Sequence, residues 1–516
     1  MKKKHIYYIG LGIMLCVLLV TRLWRIDMVP FGLHLDEAGM AYDAWCLSRF
    51  GVDRYLNSWP LYLTNYGGGQ SVLYAYICAG LFRLFGYHFL FIRLPVVVFS
   101  GFTFLFGIKL MHKIFPEEHI PAIATGVLAV ICPALVLQGR VGIDCYLMLG
   151  CSTIFLYFFF SAVESGVSGY YIGAGIVGGL LLYTYALNYF ALPLFLCFSL
   201  FYVIRVKKFS LRGWIAMAIP MAILAFPLII IQVINMFDLP EMKLGCFTLT
   251  KLDVYRVSEF SWFQFSRLVE MLRMLFMGNE LAYTAAPGFS NFYILTIPLF
   301  VIGVCNLCVC TWYSVRKREH NGMLYVFFWF LILFLLFCHL KPIGYRITGI
   351  YYSVIAIAAY GLRAVIRFLR RRSRQKAVWI MVSVLSMGYL VSFARFGYYY
   401  YMGEYTISTA PLAHFDILVA EGIEYVEAHP EYQNQGTYMA EPVTFYLLST
   451  LTSPYEVRYD SHILDNDYYI CGSLPEIQDG YNYIVRDIYV DYANELRGRG
   501  YTEVKFIGYS LFYQER

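Results

Sequence analysis

Long apolar runs recur through this sequence and restrict it to folds that suit a lipid bilayer. A helix needs roughly 17–25 predominantly apolar residues to cross the hydrocarbon core. The 516-residue chain is 59% hydrophobic and only 14% charged, which excludes a soluble protein of this length. We therefore predict a polytopic α-helical membrane protein with about eleven spans, at about 7–24, 89–111, 119–137, 145–163, 169–187, 190–204, 212–232, 289–312, 323–339, 346–366 and 377–396.

The charge of the connecting segments predicts the orientation. If the N-terminus lies inside, the strongest basic clusters all fall on the inner side, as the positive-inside rule requires. The clearest cluster is 367–376, which holds four arginines after Arg367 and one lysine. The basic residues Lys2, Lys3 and Lys4 precede the first apolar run, and no small-residue cleavage site follows it. We therefore expect an uncleaved first span, a cytoplasmic N-terminus and an outer position for the acidic tail.

The segment 71–85 is apolar enough to raise the question of a further span. Counting it as one would reverse every later connection and place the arginine clusters outside. We therefore predict an interfacial or re-entrant helix there, within an outer segment that covers 25–88. The other outer pieces are 138–144, 233–288 and 339–346.

The chain from Tyr398 onward differs in character from the rest. It carries 18 acidic and 6 basic residues, so its net charge is −12 while the remainder carries +18. Alternating, strand-like pieces lie at 436–445, 481–485 and 504–513, and helical pieces lie at 412–428 and 490–499. We predict that 398–516 is a small extracytoplasmic α/β domain with its own core, following a transmembrane domain at 1–397.

The thirteen cysteines do not suggest a disulfide framework, because they are scattered singly and only Cys471 lies in the tail. Cys305, Cys308 and Cys310 have a spacing that resembles a metal site. They lie within an apolar helix, however, which favours packing over metal binding.

Adjacent carboxylates at Asp36 and Glu37, just after the first apolar run, are the strongest candidates for chemistry. A pair of acids at a membrane boundary can supply a general base. The alternative is structural, since Asp36 could cap a short helix that begins at Glu37. The two residues alone leave both interpretations open.

An ordered series of residues resembles a known family. The series runs from Asp36-Glu37, Tyr42 and Gly51-Val52-Asp53 through Pro60, Tyr62, Gly67-Gly68-Gly69-Gln70, Tyr76 and Leu84-Phe85-Gly86 to Arg93-Leu94-Pro95. It resembles the GT-C membrane glycosyltransferases that include the protein O-mannosyltransferases and the aminoarabinose transferase of lipid A. The resemblance is good over about 1–190, weaker over 190–370 and absent from the tail. It implies the GT-C fold, and transfer of a sugar from a polyprenyl-phosphate carrier to an acceptor at the outer membrane face.

The resemblance also implies roles for particular residues. Asp36 would be the catalytic base, with Glu37 beside it. The stretch Gln138 to Asp144 matches a second outer loop of the family, whose Asp helps to form the site, so Asp144 is a third catalytic candidate. The topology predicted from the connecting charges places both loops on the same outer face, so the two arguments agree.

The leaving phosphate needs positive charge nearby, which Arg, Lys or a metal can supply. The run from His339 to Arg346 resembles the family's basic turn between late spans. The alternative is ordinary contact of basic residues with lipid headgroups. The predicted substrate-binding residues are Gln70, Arg140, His339, Lys341, Tyr345 and Arg346.

A metal site is an open question. Some relatives carry a Glu-Lys pair before the helix that follows Pro60, whereas the stretch 64–70 contains no carboxylate. A divalent ion could still bind Asp36, Glu37 or Asp144 together with substrate oxygens. His34 could join them, although a single interfacial histidine more often does not.

Two other functions compete with transfer. A transporter or flippase for a lipid-linked glycan would require intramembrane charges and repeated halves, and the sequence has few of the first and no visible repeat. A membrane scaffold with an acidic outer domain is the other alternative. The expected partners are a polyprenyl-phosphate sugar, membrane lipids and an acceptor that is lipid, protein or wall polymer, and no nucleic acid. Short inner loops argue against a cytosolic nucleotide-sugar donor.

Overall fold

The structure, a computed structural model of the chain, divides into two compact units. The first comprises Met1–Ile26, Leu61–Tyr74 and Arg93–Tyr405, and the second comprises Asp27–Pro60, Ala75–Ile92 and Thr406–Arg516. The structure describes every residue except 1, 66–67, 253–260, 279–280, 282, 404, 406–414, 430–435, 440–441, 458–462, 465–467, 471–473 and 515–516.

The first unit is helical. Its helices are α1 (Lys2–Leu23), α4 (Phe89–Ile114, from Arg93 onward), α5 (His119–Ile131), α6 (Pro133–Gln138), α7 (Leu147–Ser165), α8 (Ser168–Leu182), α9 (Asn188–Arg205), α10 (Leu211–Met236), α11 (Phe265–Met277), α12 (Thr296–Lys317), α13 (Met323–Leu336), α14 (Tyr351–Arg371) and α15 (Gln375–Met402). Two short hairpins accompany them, β1 (Leu63–Asn65) with β2 (Gly68–Gln70) and β3 (Met242–Leu244) with β4 (Phe247–Leu249).

Seven helical segments in the described part of the chain are long and apolar enough to cross a membrane. They are Phe89–Ile114, Asp144–Ser165, Asn188–Arg205, Leu211–Met236, Thr296–Lys317, Arg346–Arg371 and Gln375–Met402. The other four predicted spans coincide with shorter apolar helices, at Tyr7–Leu23, His119–Ile131, Ser168–Leu182 and Met323–Leu336. Segment 71–85 is helical as predicted, as α3 (Leu73–Phe85), which at 13 residues is too short for a straight span.

The predicted continuous span at 119–137 is wrong in one respect, because it is broken at Cys132. That residue is extended, with φ −63° and ψ 133°, and it separates α5 from α6. Proline follows at position 133, and its ring disfavours a helical conformation in the residue before it. The predicted start of another span, at 289, is also early, since α12 begins at Thr296.

Close helix packing in the first unit depends on glycine. A Cβ atom at Gly361 of α14 would lie 1.9 Å from the carbonyl oxygen of Leu299 in α12. A Cβ atom at Gly303 of α12 would lie 2.2 Å from the carbonyl oxygen of Ile357. Only glycine permits this approach, which lets the two backbones touch as small residues do between membrane helices.

The second unit combines helices with a mixed sheet. Its helices are α2 (Leu35–Phe50), α3 from Ala75 onward, α16 (Ala420–Ala428), α17 (Val443–Thr450) and α18 (Val490–Gly498). Its strands are β5 (Thr437–Met439), β6 (Ile463–Leu464), β7 (Tyr468–Ile470), β8 (Asn482–Arg486), β9 (Thr502–Lys505) and β10 (Tyr509–Tyr513). The strand order is β6-β7-β5-β8-β10-β9, so β8 is an interior strand, parallel to β5 and antiparallel to β10.

The tail contains the predicted mixture of strands and helices, but several elements differ. The strand predicted at 436–445 is wrong from Val443 onward, because α17 begins there, directly after its N-cap Pro442. Residues 440–441 lie outside the described part. The strand predicted at 504–513 is a hairpin that turns at Gly508, with φ +86°. Of the helix predicted at 412–428, residues 412–414 lie outside the described part and helix α16 begins only at Ala420.

Helix α2 is almost completely enclosed. Every residue from Glu37 to Ser48 is buried, and α2 packs against α17 of the same unit. The Tyr42 hydroxyl donates a hydrogen bond of 2.8 Å to the carbonyl of Thr452. The helix ends at Gly51, where a left-handed residue with φ 72° donates its N–H to the Leu47 carbonyl over 3.1 Å. Helix α2 is therefore fixed along its length, and its first turn extends from this fixed helix.

Candidate active site

The first turn of α2 carries the adjacent carboxylates, and His34 is its N-cap. The Nδ1 atom of His34 accepts a hydrogen bond of 3.2 Å from the backbone N–H of Asp36. In return, the Glu37 carboxylate accepts a hydrogen bond of 3.1 Å from the backbone N–H of His34. This reciprocal arrangement is a capping box, which satisfies N–H groups that the helix itself leaves without a partner.

The alternative in which Asp36 caps a helix beginning at Glu37 is therefore wrong. The helix begins two residues earlier, at Leu35, and Asp36 lies inside its first turn. A carboxylate in that position is favoured by the partial positive charge of the helix N-terminus. The cap signal was hard to see in the sequence because histidine replaces the usual Ser, Thr, Asp or Asn.

The acidic side chains near the start of α2 differ in what they contact. Glu37 is fully buried in the capping box, and Asp43 forms a buried ion pair with Arg54, at 2.9 Å to Nε and 2.8 Å to Nη2. Asp36 has 42% of its side chain exposed, and one carboxylate oxygen lies 3.8 Å from His34 Nδ1. Of the acids on α2, Asp36 is consequently the one that a substrate can approach.

The third predicted catalytic residue, Asp144, lies in the first unit at the turn before α7. One carboxylate oxygen accepts the backbone N–H of Ser71 over 3.0 Å, and the other accepts the N–H of Cys145 over 2.8 Å. The carboxylate thereby joins this turn to the end of the β1–β2 hairpin, where Gln70 is buried next to Ser71. Only 7% of Asp144 is exposed.

A basic and aromatic group packs beside Asp144. The short 3₁₀ helix Arg346–Ile350 packs against the turn Asp144–Tyr146, and the Thr348 hydroxyl lies 3.4 Å from the Cys145 carbonyl. The Arg346 guanidinium lies 5.8 Å from the centre of the Tyr345 ring. Tyr345 in turn stacks on Tyr283 at 6.4 Å. The structure thus brings Asp144, Tyr345 and Arg346 to one end of the first unit, together with the hairpin that carries Gln70.

Arg140 has different surroundings from those expected of a substrate ligand. It is fully buried, and its guanidinium donates to the carbonyls of Thr21, Trp24 and Arg25 at 2.9, 2.8 and 3.0 Å. These carbonyls belong to the end of α1, where a helix lacks internal donors. The guanidinium also lies over the rings of Tyr400 and Tyr401. The geometry favours a structural role for Arg140 in closing the end of α1.

The two remaining predicted residues are His339 and Lys341, whose contacts differ from those of the group beside Asp144. The His339 carbonyl accepts a hydrogen bond of 2.6 Å from Arg267 of α11, and its ring lies 3.1 Å from the Ser261 carbonyl. Lys341 is exposed. His339 therefore connects the end of α13 to α11, while Lys341 keeps an accessible ammonium five residues before Arg346.

The sequence did not predict the N-cap role of His34 in the second unit or the position of Tyr185 in the first. His34 acts as the N-cap, and the general capping pattern with an acid three residues later is the only signal for it. Tyr185, in the turn between α8 and α9, is a half-buried electrostatic neighbour of Asp144, Tyr345 and Arg346. Nothing distinguishes Tyr185 in sequence from the other 46 tyrosines.

The described residues do not form a ready metal site. No group of three or more His, Cys, Asp or Glu side chains with metal-binding proximity occurs in the described ranges. The Asp144 oxygens already accept two backbone N–H groups, and Glu37 accepts the His34 N–H. The stretch 64–70, which matters for the family metal, includes residues 66–67 outside the described part.

The architecture is that of a polytopic membrane protein with the GT-C glycosyltransferase fold. The dolichyl-phosphate-mannose-protein mannosyltransferase family matches the chain over residues 70–233. The resemblance seen in the sequence is therefore confirmed. No curated protein sequence matches the chain.

Solved structures show the same fold at low sequence identity. ArnT from Cupriavidus metallidurans in the apo state is 14% identical, covers 99% of this chain and 98% of its own, and gives a TM-score of 0.55. The same protein bound to undecaprenyl phosphate is 12% identical, covers 98% of this chain and 97% of its own, and gives a TM-score of 0.54. An Archaeoglobus fulgidus oligosaccharyltransferase in complex with zinc and sulfate is 12% identical. The match covers 86% of this chain and 61% of the oligosaccharyltransferase chain, with a TM-score of 0.50.

Proposed function

We propose that the protein is an integral-membrane glycosyltransferase that moves a sugar from a polyprenyl-phosphate carrier to an acceptor hydroxyl or phosphate at the outer face of the membrane. The observation that carries this proposal is the first turn of α2 in a GT-C fold, where Asp36 alone among the acids of that helix is accessible. The capping box fixes the backbone from which Asp36 projects.

Asp36 acts as the general base. A hydroxyl acceptor is a weak nucleophile, and a positioned carboxylate can take its proton as attack proceeds. The acceptor oxygen forms a bond to the anomeric carbon of the sugar. The bond between that carbon and the lipid phosphate oxygen breaks, and polyprenyl phosphate leaves with the electron pair. The proton ends on the Asp36 carboxylate.

The leaving phosphate is bound by Arg346, assisted by Lys341. Guanidinium groups bind phosphate with paired, charge-assisted hydrogen bonds, and positive charge stabilises the charge that develops on the leaving group. Arg346 is held by the packed turns Asp144–Tyr146 and Arg346–Ile350. Asp144 positions this group through its two backbone hydrogen bonds. Arg140 takes no direct part, because its guanidinium is engaged at the end of α1.

The donor class rests on the relatives. ArnT has been solved with undecaprenyl phosphate, and the matching family is named for a dolichyl-phosphate-mannose donor. Both carriers are polyprenyl phosphates, which supports the same class of donor for this chain. A divalent ion bound by Asp36 or Asp144 remains a prediction, and no step of the proposed reaction passes through it. The cytoplasmic N-terminus and the outer position of the tail also belong to the proposal.

The experiment is transfer from radiolabelled polyprenyl-phosphate sugars in membranes that hold the native chain or Asp36→Asn at matched expression. We expect the variant to lose at least about 100-fold in transfer, within the range for removal of a general base. Asp27→Asn is the matched control, because Asp27 is an exposed acid in the same unit. It should leave transfer within about twofold.

The outcomes separate the alternatives. Undiminished transfer by folded Asp36→Asn would remove Asp36 from the role of base while leaving the activity in place. Absence of transfer by the native chain from every polyprenyl-phosphate donor and membrane acceptor tested would overturn the proposed function. In that case a flippase assay with a labelled lipid-linked glycan would test the transporter alternative.

A further inference from the structure

The tail contacts the backbone that leads directly into the first turn of α2. The N–H of Leu33 donates to the carbonyl of Asp416 over 2.8 Å, and the N–H of Asp416 donates to the carbonyl of Leu33 over 2.9 Å. The two residues thus form an antiparallel bridge between distant parts of one unit. Leu33 is fully buried and immediately precedes His34, the N-cap of α2.

Arg486 holds the tail side of this bridge. Its guanidinium forms an ion pair with the Asp416 carboxylate and donates to the Phe415 carbonyl over 2.8 Å. Arg486 is the last residue of β8, an interior strand of the sheet, and only 7% of its side chain is exposed. A buried ion pair with an additional hydrogen bond fixes geometry more strongly than a surface pair. The segment that meets Leu33 is thereby attached to the centre of the sheet.

The chain before α2 is shaped to fit this contact. Gly32 has φ +81°, and a Cβ atom there would lie 2.5 Å from the Asp416 carbonyl oxygen. The Phe31 ring lies against Gly508 at the β9–β10 turn, where a Cβ atom would come within 2.7 Å of it. The His34 ring also meets the Phe415 ring edge-on at 6.4 Å. Four consecutive residues, Phe31 to His34, therefore contact the tail.

We propose that Arg486 and Asp416 are positioning residues for Asp36, so that the tail sets the geometry of the catalytic carboxylate. This inference rests on the proposed function. The sheet holds Arg486 in place, and Arg486 holds Asp416 through their ion pair. The Asp416 backbone in turn holds the Leu33 backbone, which leads into the His34 cap. Asp36 projects from the turn that this cap organises, and displacement of a catalytic group by about 1 Å can lower turnover about 100-fold. The tail is thus part of the catalytic machinery rather than a solvated appendage.

The test compares Arg486→Gln and Arg486→Lys with the native full-length chain in detergent or nanodiscs. Lysine retains the charge for Asp416 but lacks the planar fork that reaches the Phe415 carbonyl as well. We expect the kcat of transfer to fall about 10-fold or more in Arg486→Gln and by less in Arg486→Lys, with the KM for the donor within about twofold. Arg497→Gln is the matched control, since Arg497 lies in α18 of the same unit, pairs with Glu503 of β9 and has 41% of its side chain exposed.

A second readout does not depend on activity. Hydrogen exchange of the peptide covering 31–41 should accelerate in Arg486→Gln, while peptides from α18 exchange as in the native chain. The exchanged-charge variant Asp416→Arg with Arg486→Asp should recover part of both readouts relative to Asp416→Arg alone. If Arg486→Gln does not fold, the same two readouts are measured in Arg486→Lys and in the double variant Asp416→Arg, Arg486→Asp.

Unchanged kcat together with unchanged exchange at 31–41 in a folded variant would overturn the inference. So would an equal acceleration of exchange throughout the second unit, because that result indicates general destabilisation. If the native chain transfers no sugar, the proposed function fails, whereas the exchange experiment still decides whether Arg486 controls the start of α2.

Discussion

The backbone N–H of Ser71 donates a hydrogen bond of 3.0 Å to the carboxylate of Asp144, 73 residues further along the chain. The second carboxylate oxygen of Asp144 accepts the N–H of Cys145. A single acidic side chain thereby joins the β1–β2 hairpin to the turn before α7, and the turn packs against the helix that begins at Arg346. The geometry of the proposed phosphate-binding group depends on this junction.

Replacement of Asp144 by asparagine should weaken this junction. An amide has one acceptor oxygen, so its NH₂ group would face either the Ser71 or the Cys145 N–H. Leaving one buried donor without a partner costs about 1–3 kcal/mol. We expect a lower unfolding temperature in detergent for Asp144→Asn. The matched change Asp238→Asn, at a residue 87% exposed, should have almost no effect. Equal stability of the two variants would contradict the structural role of Asp144.

The His34 cap can be tested by substitution. Asparagine is a preferred N-cap and should replace histidine with little loss, whereas alanine should cost about 1 kcal/mol of local stability. We therefore expect amide exchange in the first turn of α2 to accelerate about fivefold in His34→Ala but to stay near the native rate in His34→Asn. Exchange in α18 serves as an internal reference. Faster exchange in both variants would show that another property of histidine, such as its contact with Phe415, dominates.

Arg140→Lys should destabilise the first unit without acting on donor binding. Lysine cannot reproduce the three guanidinium hydrogen bonds to the end of α1, and each hydrogen bond to a charged group contributes about 1.5–3 kcal/mol. We expect a clear fall in unfolding temperature and an unchanged KM for the donor in the protein that remains folded. The exposed Arg371→Lys is the control. A raised KM at native stability would instead identify Arg140 as a substrate ligand.

Arg346→Gln should raise the KM for the lipid-linked donor about 10-fold, because a neutral amide loses the charge-assisted contacts to phosphate. Transfer rates measured over a range of donor concentrations provide the check. Arg318→Gln, at the end of α12, is the control because Arg318 is an exposed arginine of the same unit. An unchanged KM in Arg346→Gln would exclude Arg346 from phosphate binding.

Asp53 should make stability depend on pH. Burial, with a smaller contribution from the charge of Asp43, raises the pKa of Asp53 from 3.8 to about 6. The folded chain therefore retains a proton that the unfolded chain has lost between these values. Its contribution to the free energy of unfolding is full below pH 3.8 and is lost as the pH rises through 6. The expected magnitude is about 1–3 kcal/mol.

The measurement is the difference in unfolding temperature between pH 5 and pH 8, for the native chain and Asp53→Asn. The native chain should lose more stability over this interval than the variant. Asparagine can still accept the N–H groups of Tyr55 and Asn57 that Asp53 accepts at 2.9 and 2.8 Å. A pH dependence identical in the two proteins would mean that Asp53 keeps an ordinary pKa.

The sequence predicted the helical membrane domain well because the need to satisfy backbone groups in lipid makes apolar length a direct structural signal. It failed where a local conformation decides, as at Cys132, where the following proline ends a helix inside an unbroken apolar run. In the tail, the hairpin turn at Gly508 and the helix after Pro442 interrupt runs that alternate like single strands. Short apolar runs are ambiguous between strand and helix, and tertiary packing settles them.

The candidate site shows the same division. The sequence indicated Asp36 as a candidate catalytic residue, because it is one of two adjacent acids after the first span and begins the ordered series that resembles the family. Residue types and their order along the chain are visible in a sequence. Only the tertiary structure distinguished the accessible Asp36 from the buried Glu37, and assigned Arg140 to the end of α1. Only the structure revealed that Asp416 and Arg486 contact the approach to α2. The physical reason is that sequence specifies which groups are present, whereas burial, hydrogen-bond partners and contacts between distant segments arise only when the chain folds.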